Sequence, residues 1–306
     1  MRILVALAVL TALLAVATGR ASAGVTMYAG LGGHGNGTSL DDGALVIIDQ
    51  NTAATTLVGH PAGVTRLTGI AFELNGDLFG STVEGPIMFP PPPSPGFSDL
   101  VQINPNNGAL ITNVGPITDA SGTKLAIADL SVQPGTGVLY GVSGPQAGPA
   151  ASGKLYTINT ATGVATFVGD TGHFFDSIAF APNGTLFASS AIAGPTGAPE
   201  NPALLTLDPA TGSVLPGGVP TADFFGSLGI RPTDGTIFGG SGDTGNIFTV
   251  DAATGAETMV GNTGLRFAGD LDFRVTPVPE PATSALIATG LLLGLRWRAK
   301  RSDKKS

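Results

Sequence analysis

Apolar residues between positions 45 and 273 fall into short runs broken by polar or glycine-rich turns, with no helical period. One pattern recurs five times. Its first run is Leu45-Val46-Ile47-Ile48-Asp49, then Leu100-Val101-Gln102-Ile103-Asn104, Leu155-Tyr156-Thr157-Ile158-Asn159, Leu204-Leu205-Thr206-Leu207-Asp208 and Ile247-Phe248-Thr249-Val250-Asp251. Four copies place a glycine four residues after the Asp or Asn (Gly108, Gly163, Gly212, Gly255), and Ala53 takes that place in the first. A second apolar run follows and ends in Val-Gly at Val58-Gly59, Val114-Gly115, Val168-Gly169 and Val260-Gly261. Asp or Asn accepts local backbone hydrogen bonds at a strand end, and glycine supplies the positive φ of a tight turn, so each pair of runs predicts a hairpin.

A second hairpin completes the unit. Ile70-Ala71-Phe72 leads through Asn75-Gly76 to Leu78-Phe79-Gly80-Ser81, and Ile178-Ala179-Phe180 leads through Asn183-Gly184 to Leu186-Phe187-Ala188-Ser189. Leu130-Ser131-Val132 with Leu139-Tyr140-Gly141, and Leu228-Gly229-Ile230 with Ile237-Phe238-Gly239, are the equivalents. The spacings from Asp49 through Asn104, Asn159 and Asp208 to Asp251 are 55, 55, 49 and 43 residues, about the 40–50 of a propeller blade. The fifth copy stops after Leu271-Asp272-Phe273, one strand short, while Thr26-Met27-Tyr28-Ala29-Gly30 stands alone at the other end. A closed ring explains both. The fold expected is all-β: a five-bladed β-propeller of four-stranded blades, the ring closed by the N-terminal strand. A six-bladed ring would need a further blade, and no remaining segment is long enough to supply it.

The two ends have a different grammar. Arg2, the apolar run Ile3–Ala17 and Ala21-Ser22-Ala23 form the pattern of a cleavable signal peptide, residues 1–23. At the other end Val278-Pro279-Glu280-Pro281 precedes fourteen uncharged residues, Ala282 to Leu295, and then the basic stop Arg296, Arg298, Lys300 and Arg301. Residues 277–306 resemble the PEP-CTERM sorting tail. The resemblance implies recognition by an exosortase, a membrane transpeptidase-like enzyme, followed by display on the cell surface or in the extracellular matrix. A simple C-terminal anchor fits the same hydrophobic pattern. In either case a C-terminal transmembrane helix, marginal in length, would hold an inner-membrane intermediate with the body, residues 24–276, outside the cytoplasm.

Charge sharpens this picture. The 24–276 body carries six basic residues against twenty acidic ones, a net −14 hidden within the whole-chain −8. Such a body has no footprint for nucleic acid. The chain has no cysteine, which excludes disulfides, thiol chemistry and thiolate metal sites. His34, His60 and His173 have no metal-ligand spacing, and no Gly-x-Ser-x-Gly elbow occurs. Gly30–Gly37 lacks the Lys-Ser/Thr ending of a phosphate loop, and Asn36-Gly37-Thr38 and Asn183-Gly184-Thr185 are better explained as Asn-Gly turns than as glycosylation acceptors.

Candidate chemistry lies at the entrance to the third strand of each unit: Gly69, Asp129, Ser177, Ser227 and Asp270, with Asp176 one place earlier. In a closed ring these lie at one height, so Asp129, Asp176 and Asp270 would converge near one mouth of the central channel. Oxygen ligands suit a hard cation such as calcium; the competing reading is that they cap backbone amides. No other cofactor is expected. Phrases such as Lys154-Leu155-Tyr156-Thr157-Ile158-Asn159 resemble a propeller family of unknown function and, more loosely, quinoprotein-like and NHL-type propellers, which implies a fold and not a reaction. Insertions at Pro86–Pro95, Gly144–Gly153 and Gly194–Pro202 fall at equivalent places after the fourth strand and are candidate binding loops. The expected role is a non-enzymatic surface protein that binds exopolysaccharide or another surface protein. A quinoprotein- or lyase-type enzyme and a calcium-rigidified structural module are the alternatives.

Overall fold

The computed structural model describes residues 24–32, 43–83, 96–144, 147, 151–190, 201–241, 244–265 and 268–276. Val25–Val275 form one compact unit. The expected signal segment (1–23) and the sorting tail, including Pro279-Glu280-Pro281 and its hydrophobic stretch, lie outside the described residues, as do His34 and nearly all of the insertions around 84–95 and 191–200. Among the described residues no helix is long and apolar enough to cross a membrane.

Three strands come from the N-terminal region: β1 (Gly24–Leu31), β2 (Leu45–Ile48) and β3 (Thr55–Gly59). The next four are β4 (Leu67–Phe72), β5 (Leu78–Thr82), β6 (Asp99–Ile103) and β7 (Leu110–Pro116), then β8 (Ile127–Val132), β9 (Leu139–Ser143), β10 (Lys154–Ile158) and β11 (Ala165–Asp170). They continue as β12 (Phe175–Phe180), β13 (Leu186–Ser190), β14 (Ala203–Leu207) and β15 (Val214–Pro220). Last come β16 (Phe225–Ile230), β17 (Ile237–Ser241), β18 (Asn246–Val250), β19 (Glu257–Asn262) and β20 (Ala268–Thr276). They form five four-stranded sheets: β4 to β7, β8 to β11, β12 to β15, β16 to β19, and the closing sheet ordered β20-β1-β2-β3. This is the expected five-bladed propeller, and the N-terminal strand closes the ring.

The phase of the blades differs from that of the sequence repeat. The repeat, read from Leu45, runs β2-β3-β4-β5, but β2 and β3 belong to one blade while β4 and β5 begin the next. The innermost strands are therefore β4, β8, β12, β16 and β20, and the insertions join the second and third strands of a blade instead of following its fourth. The fragment Leu271-Asp272-Phe273 is the inner strand of the closing blade, to which the chain's first three strands are added outward.

Among the described residues there is no single central core. Five apolar clusters form, one between each pair of neighbouring blades. Period-two alternation sends the side chains of each strand to the two neighbouring blades in turn. Tyr28 of β1 thus meets Phe72 of β4 edge-on at 5.1 Å, and Tyr140 of β9 meets Phe180 of β12 at 5.2 Å. The seam between the last blade and the closing one is filled by Met27, Phe238, Ile247, Leu271 and Phe273, so the ring is closed by packing as well as by strand pairing.

The repeat's two signatures meet at the outer part of these seams. Each Asp or Asn after the third strand accepts the amide two residues on at 2.9 Å: Asp49, Asn104, Asn159, Asp208 and Asp251. That turn then presses on the outer strand of the preceding blade. A Cβ on Gly169 would strike the carbonyl oxygen of Thr211, and one on Gly59 would strike that of Asn107. Val-Gly and the turn glycine are thus two halves of one inter-blade contact. Ala53 occupies the turn position in the closing blade at φ 59°, the one non-glycine residue at positive φ among those described.

Left-handed backbone costs an L-residue about 1–2 kcal/mol. We expect Gly108→Ala, at φ 69° and packed on Gly59, to lose about 2 kcal/mol or more of stability, combining that penalty with overpacking. Ala53→Gly should instead gain up to about 1 kcal/mol, because relief of the strain exceeds the added unfolded-state entropy. Thermal unfolding of the two variants beside the wild type checks both.

Candidate ligand site at the propeller axis

The inner strand of every blade is a sheet edge, so alternate amides along it face the axis with no strand to bond them. Side chains from the same strand and from the preceding blade supply the acceptors. Asp270 on β20 accepts Ile70 N–H of β4 at 2.8 Å and its own neighbour Leu271 N–H at 2.6 Å. Two residues along, Asp272 accepts Phe72 N–H at 2.6 Å and Phe273 N–H at 2.7 Å. Asp129 on β8 accepts Ile178 N–H of β12 at 2.7 Å, Leu130 N–H at 2.8 Å and the Ser177 hydroxyl at 2.5 Å. Ser177 accepts Leu228 N–H of β16 at 2.7 Å, and Ser131 accepts Phe180 N–H at 3.0 Å.

Gly69, Asp129, Ser177, Ser227 and Asp270 thus stand at equivalent positions on the five inner strands, as the sequence predicts. Gly69 has no side chain to reach the next blade, and a Cβ there would lie 2.8 Å from Leu130 N and 2.9 Å from Asp129 Cα. That amide is served by Asp129 itself. Asp129 and Asp270 are both fully buried, and their carboxyls are hydrogen-bonded to each other. Asp176 does not join them: it is the extra residue of a β-bulge between Phe175 and Ser177, and it keeps partial solvent contact. Among the described residues no three His, Cys, Asp or Glu side chains are placed to share a metal ion. The oxygens of Asp129 and Asp270 are instead committed to amides, a hydroxyl and each other. His60 is exposed, and His173 lies against Phe175 with ring centres 5.9 Å apart.

Asp272 stands apart from the acids expected from the sequence. It sits at the base of a pocket of about 270 Å³ on the axis, where the five inner strands end. Every blade contributes to the wall: Phe72, Val132, Phe180, Ile230 and Phe273 form an inner apolar ring, and Leu74, Pro134, Pro182, Pro232 and Val275 an outer one. Leu74 and Val275 are 66% and 44% exposed, which leaves an apolar lip around a half-buried carboxyl. The signal was available as a repeat position: the residue two after the axial acid is Ala71, Ser131, Ala179, Gly229 and Asp272, charged in one blade only.

Burial governs the acidity of these groups. It raises Asp129 to about 7 against the opposing hydrogen bonds from Asp270, Ser177, Ile178 and Leu130. Burial first, and then the neighbouring Asp129 charge, push Asp270 well above the usual carboxylate range. Desolvation lifts Asp272 to about 7 and Asp176 to about 6. On the surface the turn acids Asp49, Asp119 and Asp251 are lowered by hydrogen bonds from their own turns.

A carboxyl with a raised folded-state pKa binds its proton more tightly folded than unfolded. Its contribution is complete below about 4 and is lost as pH rises through about 7. The turn acids act oppositely, their contribution fading only as pH falls below the usual carboxylate range. The body should therefore melt at a higher temperature at pH 5 than at pH 8, and Asp270→Asn should shrink that difference by removing one of the paired acids. Thermal unfolding of both proteins at the two pH values checks this.

Residues 277–301 match the family model described as the PEP-CTERM protein-sorting motif. No curated protein matches the chain. Among solved structures the chain is similar to one in a nidogen/laminin complex, at 9% identity, covering 83% of this chain and 100% of that one, with a TM-score of 0.49. It is also similar to the PQQ-bound aldose sugar dehydrogenase of Streptomyces coelicolor (13% identity, 78% and 85% covered, TM-score 0.45). A third is a protein of unknown function from Bacteroides caccae (12% identity, 76% and 71% covered, TM-score 0.40). Likenesses this distant carry no argument about chemistry. The sorting motif implies export, processing by an exosortase-like membrane enzyme and a membrane-anchored intermediate before surface display. The chain therefore joins a PEP-CTERM protein-sorting motif to a five-bladed β-propeller body.

Proposed function

We propose that this exported propeller is a non-enzymatic binding protein of the cell surface or extracellular matrix that engages polysaccharide or another surface protein through its loops. The carrying observation is the sorting motif at 277–301 on a body with a rigid, repeated frame. The insertions after β5, β9 and β13 all join second to third strands, so the strand ends that bear them share the face opposite the axial pocket. Their Pro- and Gly/Ala-rich composition suits extended, exposed loops. A non-catalytic role is favoured by the axial acids' engagement with backbone amides, which leaves Asp129 and Asp270 occupied in structural bonds.

Intact mass of the protein recovered from its native host, fraction by fraction, tests the sorting step. A released species beginning near Gly24 and ending near Pro279-Glu280-Pro281 is expected, and Glu280→Ala should hold the chain in the membrane fraction. Retention of the full C-terminus by the wild type would contradict the reading. A glycan array probed with the released protein tests the binding step: retention that is lost when the Pro86–Pro95 insertion is replaced by a Gly/Ser linker supports it, and no retention on any glycan moves the partner to protein.

A further inference from the structure

The axial pocket has a chemistry of its own, independent of the loops. Its walls are mostly apolar, formed by Phe72, Phe180, Ile230 and Phe273 with Leu74 and Val275 at the lip. Its floor is a carboxyl: each Asp272 oxygen accepts one amide, at 2.6 and 2.7 Å, which leaves further acceptor capacity on both. The other charged groups in the pocket are Glu73, half-buried on the wall, and Arg274, whose guanidinium donates to Asn106 Oδ1 at 2.7 Å. Asp270 lies beneath on the same strand. Held away by Asn106, Arg274 is not bonded to the Asp272 carboxylate, so among the described residues no cation closes the floor. At about 270 Å³ the space falls just below the roughly 300 Å³ at which drug-sized sites begin.

We propose that this pocket binds a small organic cation, an alkyl- or arylammonium whose charged head rests on Asp272 and whose apolar body fills the ring of Phe72, Phe180, Ile230 and Phe273. An ammonium donates to the oxygens' remaining lone pairs, and the low-dielectric walls strengthen that contact relative to water. The aromatic rings add favourable contact with the adjoining C–H groups and the cation. A carboxylate ligand would meet Asp272 and Glu73 with like charge. A neutral ligand of the same shape would gain the walls and lose the floor.

Calorimetric titration of the full chain with benzylammonium, and with benzyl alcohol as the neutral isostere, tests this at pH 8. Benzylammonium should bind at least tenfold more tightly than the alcohol. Its affinity should fall as pH drops below about 7, where Asp272 takes up a proton in competition with the ligand. Asp272→Asn should lose at least tenfold in affinity for the ammonium and little for the alcohol. Leu74→Lys, a change on the exposed lip that leaves the core untouched, should weaken the ammonium through repulsion, and circular dichroism verifies that both variants fold. Equal binding of the two probes, wild-type affinity in both variants, or no binding of benzylammonium at 10 mM (about the weakest interaction the titration reads) would each overturn the proposal.

Discussion

Amides on the inner edge of each blade have no strand beyond them, and the propeller stands on how those amides are bonded. A sheet edge can be covered by another strand, by solvent or by side chains. At the axis of a five-bladed ring the first is impossible and the second is excluded at the height of Asp129 and Asp270, which are sealed from water. Aspartate is the residue that solves this most fully, because its two oxygens serve two strands at once. Asp129, Asp270 and Asp272 each bond their own strand's next amide and one on the neighbouring blade. Serine reaches one. Where a blade offers only glycine, as at Gly69, the following blade supplies its own acceptor.

That arrangement carries a cost. Two carboxyls meet in a sealed space, and they coexist by sharing a hydrogen bond, with Asp270 held protonated more strongly than an ordinary aspartate. An acidic body with a net −14 thus keeps some of its carboxyls neutral around neutral pH, at the point where its blades converge. At the outer rim the blades meet without a side chain between them. There the Val-Gly strand end and the Asp/Asn-x-x-x-Gly turn of the next blade fit backbone to backbone, which only the absence of a side chain permits.

Much of this was legible in the sequence because the physics repeats. Five copies of a hairpin with a capped turn specify five blades, and the lone Thr26–Gly30 strand with the truncated last copy specifies closure. The phase was not legible. Hairpins β2-β3 and β4-β5 look like one unit along the chain, and the pairing of β5 with β6 shows that the blade boundary runs between them. Asp129 and Asp270 could be placed at one height because they occupy a repeat position, yet their partners are amides contributed by other blades, which no local pattern reveals. Nearness in sequence groups Asp176 with them; a bulge, which shifts a residue out of register without changing composition, sets it apart. Asp272 does not stand out in the sequence because its counterparts at the same repeat position are small and neutral, and the pocket it floors exists only once five chain-distant strand ends meet.

The sorting motif and the fold thus belong to separate parts of one chain: a terminal segment that implies processing by a membrane enzyme, and a ring whose stability does not draw on disulfides. Side chains bond the axial amides across the blades. Residue-resolved native-state amide exchange measures it directly. Ile70, Phe72, Ile178 and Leu228, which have no strand partner on the axial side, should exchange as slowly as ladder amides such as those of Val101 and Leu155. Exchange at the rate of open edge amides would show that the axis is solvated and that the ring is held by its apolar seams alone.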